Sequence, residues 1–221
     1  TASPRMPPPS AAPPASPAPR LPAAPVATPP PTLSPPVPGP ISFKPRPVAA
    51  DGDRLAAVLA LLVGDEEPAL VLTERAATMS RHPGEVSFPG GLVEPEDADL
   101  RATAVRETQE ELGIDPRTVD VLGALAPIHT YVSATLVTPF VARTAALPSL
   151  TLNLDEIAAV HVPPLVELAA VEEQRAVRAE GGTTWRGWWY ELPAVTVWGA
   201  TGFMLHALLE LVRREAPWTL P

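Results

Sequence analysis

Proline is crowded into one end of this chain. Residues 1–50 hold 19 of its 32 prolines, four basic residues and no acid. A proline fixes φ and carries no N–H, so a dense run of them supports neither a helix interior nor a central strand. Such a segment also has too little apolar surface to offset the entropy of ordering. Residues 1–48 therefore read as a disordered Pro/Ala-rich tail with local polyproline II character. Folding is left to a single domain over residues 49–221, about 170 residues and long enough for its own core.

The charge divides at the same place. The chain as a whole is −9 and residues 1–50 carry +4, which leaves −13 on residues 51–221. So acidic a body does not suit a nucleic-acid partner, which calls for a basic patch. An anionic small molecule would need a divalent cation to bridge acid to acid. The chain has no cysteine, which excludes disulfides, thiolate catalysis and cysteine-held zinc. That composition permits the reducing cytoplasm, and a cytoplasmic location is the expectation. No apolar run reaches the ~18 residues of a membrane helix, so no membrane partner is expected. Arg5 and Arg20 are not followed by an apolar stretch of the kind a signal peptide needs.

Within the body, residues 55–63 form a continuous apolar run that reads as a buried strand. Residues 69–73 and 85–88 read as further strands, the latter broken by Pro89-Gly90-Gly91. Residues 98–112 predict the clearest helix, with Asp97 or Asp99 as cap and Gly113 as stop. Strands are expected at 119–125, 134–141, 157–162, 188–192 and 194–197. A short helix is expected at Leu165–Ala170 and a long one at Gly199–Glu215. Strands, helix, strands, helix is the order of an α/β chain of the α+β type, a mixed sheet between helices and not a doubly wound βαβ fold.

The chemistry gathers at residues 87–114. On the expected helix Glu107, Glu110 and Glu111 stand at i, i+3 and i+4, so their carboxylates share one face. Three like charges repel unless a cation collects them, and hard oxygen ligands suit Mg²⁺ or Mn²⁺. Arg106 can reach Glu110 one turn on and relieve part of the repulsion. Gly90 and Gly91 allow the backbone to approach closely, and their carbonyls are available to a metal shell. A glutamate-rich helix face alone is usually solvated surface. Pro-Gly-Gly, then a loop, then a capped helix carrying Arg-Glu-x-x-Glu-Glu-x-Gly is a far more specific combination.

That combination resembles the Nudix box, Gly-x5-Glu-x7-Arg-Glu-U-x-Glu-Glu-x-Gly-U with U bulky or aliphatic. Gly91, Arg106, Glu107, Glu110, Glu111, Gly113 and Ile114 match it. The loop is one residue longer than the pattern, with Asp97 near the first glutamate position, and Thr108 stands where an aliphatic residue or alanine is usual. Upstream, Leu72-Thr73-Glu74-Arg75-Ala76 and Gly84-Glu85-Val86-Ser87-Phe88-Pro89-Gly90-Gly91 look like the signature of the coenzyme A pyrophosphatase branch. Ser80 replaces the arginine usual in that branch, with Arg81 adjacent.

The resemblance implies a Nudix fold and metal-dependent cleavage of a pyrophosphate bond in a nucleoside diphosphate derivative, foremost coenzyme A or an acyl derivative. It implies Mg²⁺ or Mn²⁺ on Glu107 and Glu111, with Glu110 as a further ligand or water-orienting group, Arg106 beside them, and Arg75, Arg81, Gly90 and Gly91 toward the substrate. Other nucleotides, such as ADP-ribose or NADH, are the alternative. A nucleotide-binding module without catalysis is a second alternative, which the intact carboxylate set argues against. Glu85 and Glu156 are candidate extra ligands or bases. His82, His129, His161 and His206 share no ligand spacing and read as structural, and a homodimer stays open.

Overall fold

A computed structural model describes residues 52–79, 82–130, 134–178, 184–215 and 220. The expected tail at 1–48 lies outside the described residues, as do Ser80 and Arg81.

The apolar run becomes β1 (Arg54–Val63), the central strand of a mixed sheet. It pairs in parallel over its whole length with β8 (Thr135–Thr144). Antiparallel neighbours complete the sheet: β2 (Ala69–Leu70) and β5 (Gly90–Leu92) on β1, β6 (Asp120–Ala124) and β7 (Ile128–Thr130) on β8. The strand expected at 69–73 is two strands. After Val71, whose N–H donates to Leu61 O at 3.0 Å, the chain passes into β3 (Leu72–Arg75). β3 belongs to a second sheet, between β4 (Val86–Ser87) and β9 (Ile157–His161). A third sheet runs β10 (Glu172–Arg178), β11 (Thr184–Leu192), β12 (Val195–Val197).

The continuous hydrophobicity of β1 has a simple cause: both of its faces are covered. Ala57, Leu59 and Leu61 point one way, into a core with Ala104 and Leu112 of helix α1 (Leu100–Leu112) and Ile114 beyond it. Val58 and Ala60 point the other way, toward Phe88, Tyr190 and residues Leu205, Leu208 and Leu209 of the long helix at Gly199–Glu215. Helix α2 (Leu165–Ala170) adds Leu165 and Leu168 to that second core, and the long helix is α3. The mixed sheet thus lies between α1 and α3, as the sequence predicts. No helix among the described residues is long and apolar enough to cross a membrane.

Candidate active site

Helix α1 starts where its cap can act. The Asp99 carboxylate accepts from the Ala102 N–H at 2.8 Å, satisfying a donor that has no partner within the helix. At the other end Gly113 adopts φ 70°, the left-handed stop that glycine favours, and its N–H returns to Gln109 O. Thr108, the residue that departs from the box pattern, is buried but not orphaned. Its hydroxyl donates to Ala104 O at 2.7 Å.

The helix lies against β5, and this contact sorts the three glutamates. At about 100° per residue, Glu111 is roughly 40° round the helix from Glu107, and Glu110 is roughly 60° to the other side. Glu107 and Glu111 therefore face β5 and the interior. The Glu111 carboxylate is buried (3% exposed) and accepts from the Gly90 N–H at 3.2 Å. Glu107 packs on Gly91, where a Cβ would overlap its carboxylate. The Pro-Gly-Gly segment breaks the chain after β4, as expected, and from Gly90 onward it becomes an edge strand on β1. Its glycines are required because Gly90 (φ 149°) backs onto the Val58 backbone while Gly91 backs onto Glu107. Glu110 is outside this contact, 56% exposed.

Arg106 ties the assembly together. Its Nε and Nη2 donate to the two Asp97 carboxylate oxygens at 2.9 and 3.0 Å. Nη1 reaches Glu107 Oε1 at 3.1 Å and Glu110 Oε2 at 2.9 Å, and Nη2 also donates to Leu92 O at 3.1 Å. Asp97 further accepts from the Glu94 N–H and the Thr103 hydroxyl, so one carboxylate pins the lengthened box loop to both α1 and Arg106. The Arg106 fork holds the Asp97 carboxyl well below the usual carboxylate range. Asp97 stands near the first glutamate position of the box without being one of the expected site residues, and its spacing to Arg106 is the signal in the sequence that marks it.

The electrostatics at Glu111 run the other way. Burial, opposed by the Gly90 hydrogen bond and then augmented by the nearby Glu107 charge, pushes its carboxyl up to about 8. Arg75 lowers it and Glu156 raises it further. Glu107 is likewise raised, first by burial and then by Glu110 and Glu156, with Arg106 opposing. Arg75, the last residue of β3, stands close enough to act on Glu111, yet its own Nε is buried with no hydrogen-bond partner among the described residues. Glu156, from the turn before β9, was only a side candidate in the sequence, and it acts on both helix carboxylates. Glu85 is instead paired with His82 at 2.9 Å. The other histidines also have carboxylate partners, His129 with Asp53, His161 with Glu74 and His206 with Glu172, in separate parts of the fold.

This donor set fits a small divalent cation. It offers hard carboxylate oxygens, one of them buried with a single N–H donor and no ion pair among the described residues. No three acid or imidazole side chains among the described residues are yet drawn in to ligand separation, so closing the set on an ion requires side-chain rotation.

A loop–helix module of this kind, set on a mixed sheet between two helices, defines a class of phosphoanhydride-cleaving enzymes. The family model for the NUDIX domain matches residues 53–181, and the chain belongs to the Nudix family. It is a Nudix pyrophosphohydrolase that cleaves a nucleotide pyrophosphate bond, and the family implies a divalent metal cofactor, Mg²⁺ or Mn²⁺. Among its relatives is a Photorhabdus laumondii protein named Uncharacterized Nudix hydrolase NudL, 36% identical over 165 residues, covering 74% of this chain and 88% of the relative. A protein of the same name from Cronobacter sakazakii is 39% identical over 159 residues, covering 70% of this chain and 81% of the relative. A crystal structure of a MutT/nudix family protein from Enterococcus faecalis superposes more loosely, with TM-score 0.48 and 16% identity over 78% of this chain and 68% of that one.

Proposed function

We propose that the substrate is coenzyme A or an acyl derivative, cut to 3′,5′-ADP and the corresponding 4′-phosphopantetheine. The observation that carries this reading is Arg75. It sits in the segment Leu72–Ala76 that resembles the coenzyme A pyrophosphatase branch, it ends β3 beside Glu111, and it keeps an unused buried donor. A guanidinium with a spare N–H beside the cleavage chemistry suits a phosphate oxygen. Arg81, outside the described residues, is proposed as a second phosphate contact.

In this reading Glu107 and Glu111 hold Mg²⁺ or Mn²⁺, with Glu110 or another carboxylate completing the set. Such an ion, when bound, neutralises the pyrophosphate and acidifies water. The chain's own contributions are more specific. Gly90 donates its N–H to Glu111 and keeps that carboxylate oriented. Arg106 holds Glu107 against Gly91, and Asp97 holds Arg106. Arg75 takes part of the negative charge that grows on the bridging oxygen. Hydrolysis of a panel of coenzyme A, dephospho-coenzyme A, ADP-ribose, NADH and dinucleoside polyphosphates, with Mg²⁺ and with Mn²⁺, tests the reading. The expected result is the highest kcat/KM on coenzyme A, roughly 10- to 150-fold above NADH, from charge-assisted contacts to the 3′-phosphate. A preference for NADH or ADP-ribose would overturn the substrate and leave the pyrophosphohydrolase.

A further inference from the structure

We propose that Ser87 is a phosphate-binding residue beside Arg75, with the buried Thr73 hydroxyl as its positioning residue. The inference rests on the reading that Arg75 takes a phosphate oxygen.

Alternation along the strands puts these three side chains on one wall. In β3, Leu72 belongs to the core under α3, so Thr73 and Arg75 point the other way. Their partners across the sheet agree. Val160 lies opposite Thr73 and Ile157 opposite Arg75, and both pack into the core that α1 covers. On the next strand Val86 and Phe88 pack in the core under α3, which turns Ser87, between them, to the α1 side as well. Ser87 lies directly across from Thr73. Three residues further on, the Gly90 N–H donates to the Glu111 carboxylate at 3.2 Å. Ser87 therefore stands between Arg75 on the neighbouring strand and the Gly90 contact with α1. Ser87 and Arg75 are diagonal neighbours on this wall, roughly 7–8 Å apart at the backbone. An arginine side chain and one phosphate group together fill such a gap.

The hydrogen bonds show which hydroxyl is available. Thr73 is 1% exposed, so its hydroxyl must find its partners inside the protein. It donates to the Ser87 carbonyl at 3.2 Å, and the two hydroxyl oxygens stand 3.3 Å apart. With the single Thr73 proton on that carbonyl, the contact between the hydroxyls takes its proton from Ser87. Ser87 is only half-buried. Its O–H can turn from Thr73 to a ligand while Thr73 keeps its own donor bond. A hydroxyl pair across two strands is ordinary sheet chemistry. What sets this one apart is its neighbour, since Arg75 Nε is buried with no hydrogen-bond partner among the described residues. An unused guanidinium N–H and a hydroxyl with a movable proton, on one wall, match an anion with several acceptor oxygens. A phosphate of the pyrophosphate group is such an anion.

The test is binding of imidodiphosphate, a pyrophosphate with N–H in the bridge, to the full chain at pH 7.5 in saturating Mg²⁺, by calorimetry. The proteins are wild type, Ser87→Ala, Ser87→Thr, Thr73→Val, Thr73→Ser and Arg75→Ala, each melted without ligand to compare folding. Loss of a hydrogen bond to a charged group costs about tenfold in affinity. Ser87→Ala is therefore expected to weaken imidodiphosphate by about tenfold. Thr73→Val leaves the Ser87 hydroxyl present but unguided, and is expected to cost roughly threefold. Ser87→Thr and Thr73→Ser keep the hydroxyls and are expected to stay within about twofold of wild type. Wild-type affinity in Ser87→Ala, beside a weakened Arg75→Ala, overturns the inference alone. Wild-type affinity in Arg75→Ala as well overturns the reading on which it rests. Equal losses in Ser87→Ala and Ser87→Thr, or losses that follow Tm across the set, overturn the Ser87 contact. Wild-type affinity in Thr73→Val removes Thr73 as the positioning residue.

Discussion

Replacing Glu111 by glutamine should make the metal-free protein more stable in mild alkali while disabling it as an enzyme. The carboxyl, ordinarily near 4.5, is pushed up to about 8 by burial. Its folded pKa exceeds the unfolded one, so the native state binds the extra proton. The stability from that proton is complete below about pH 4.5, declines as pH rises, and is gone above about 8. Between pH 5 and 8 the loss is about 3 to 4 kcal/mol at 1.36 kcal/mol per pKa unit. For a domain of this size that corresponds to roughly 10 °C in Tm. Glutamine cannot ionise, and its side-chain oxygen still accepts from the Gly90 N–H. The assay is thermal melting of wild type and Glu111→Gln in EDTA from pH 5 to 9, read as the difference between the curves so that other titrations largely cancel. The variant should gain on wild type by roughly 10 °C between pH 5 and 8. Saturating Mn²⁺ at pH 8 should then raise wild type and move the variant little, with kcat at least ~100-fold lower in the variant. Melting curves that stay parallel in EDTA would refute the claim that Glu111 is a buried, poorly compensated carboxylate.

Two further substitutions probe the frame around it. Gly91→Ala puts a methyl group into the Glu107 carboxylate; it should cost about 1–3 kcal/mol by overpacking and lower kcat by at least roughly tenfold through misplacement of Glu107, and wild-type turnover would show that β5 yields freely. Asp97→Asn takes one charge from the Arg106 fork. Because the Asp97 carboxyl is held low, its contribution is present above its ordinary value of 3.8 and is lost as pH falls. The variant should therefore melt below wild type at pH 7, with the gap narrowing under acid, and a gap independent of pH would remove the ion pair as its cause.

Helix α1 was almost wholly legible in the sequence. Asp99 and Gly113 bound it, and both act through contacts within a few residues of themselves. The carboxylate spacing was legible for the same reason, since helix geometry is local and repeats every ~3.6 residues. The apolar run of β1 announced burial on two faces before either covering helix was known. Three strands were not legible. Gly90–Leu92 has two glycines, Ile128–Thr130 is only three residues long and follows Pro127, and Glu172–Arg178 is strongly charged. Each is held in place by its partner, Ala56–Val58 for the first, Thr135–Val137 for the second and Thr184–Tyr190 for the third, and not by its own propensity.

The site divides along the same line. The family box, its metal-ligand chemistry and the acidic charge that calls for a cation are properties of residue order. Which glutamate is buried is not. Packing of α1 on β5 puts Glu111 under Gly90 and leaves Glu110 in solvent on Arg106. Arg75 and Glu156, 36 and 45 positions from Glu111, reach it only because β3 and β9 pair and the 151–157 turn satisfies the open carbonyls of α1. Spacing along a helix is set by bonded geometry, whereas desolvation and charge proximity depend on which distant surfaces meet, and only the tertiary structure decides that.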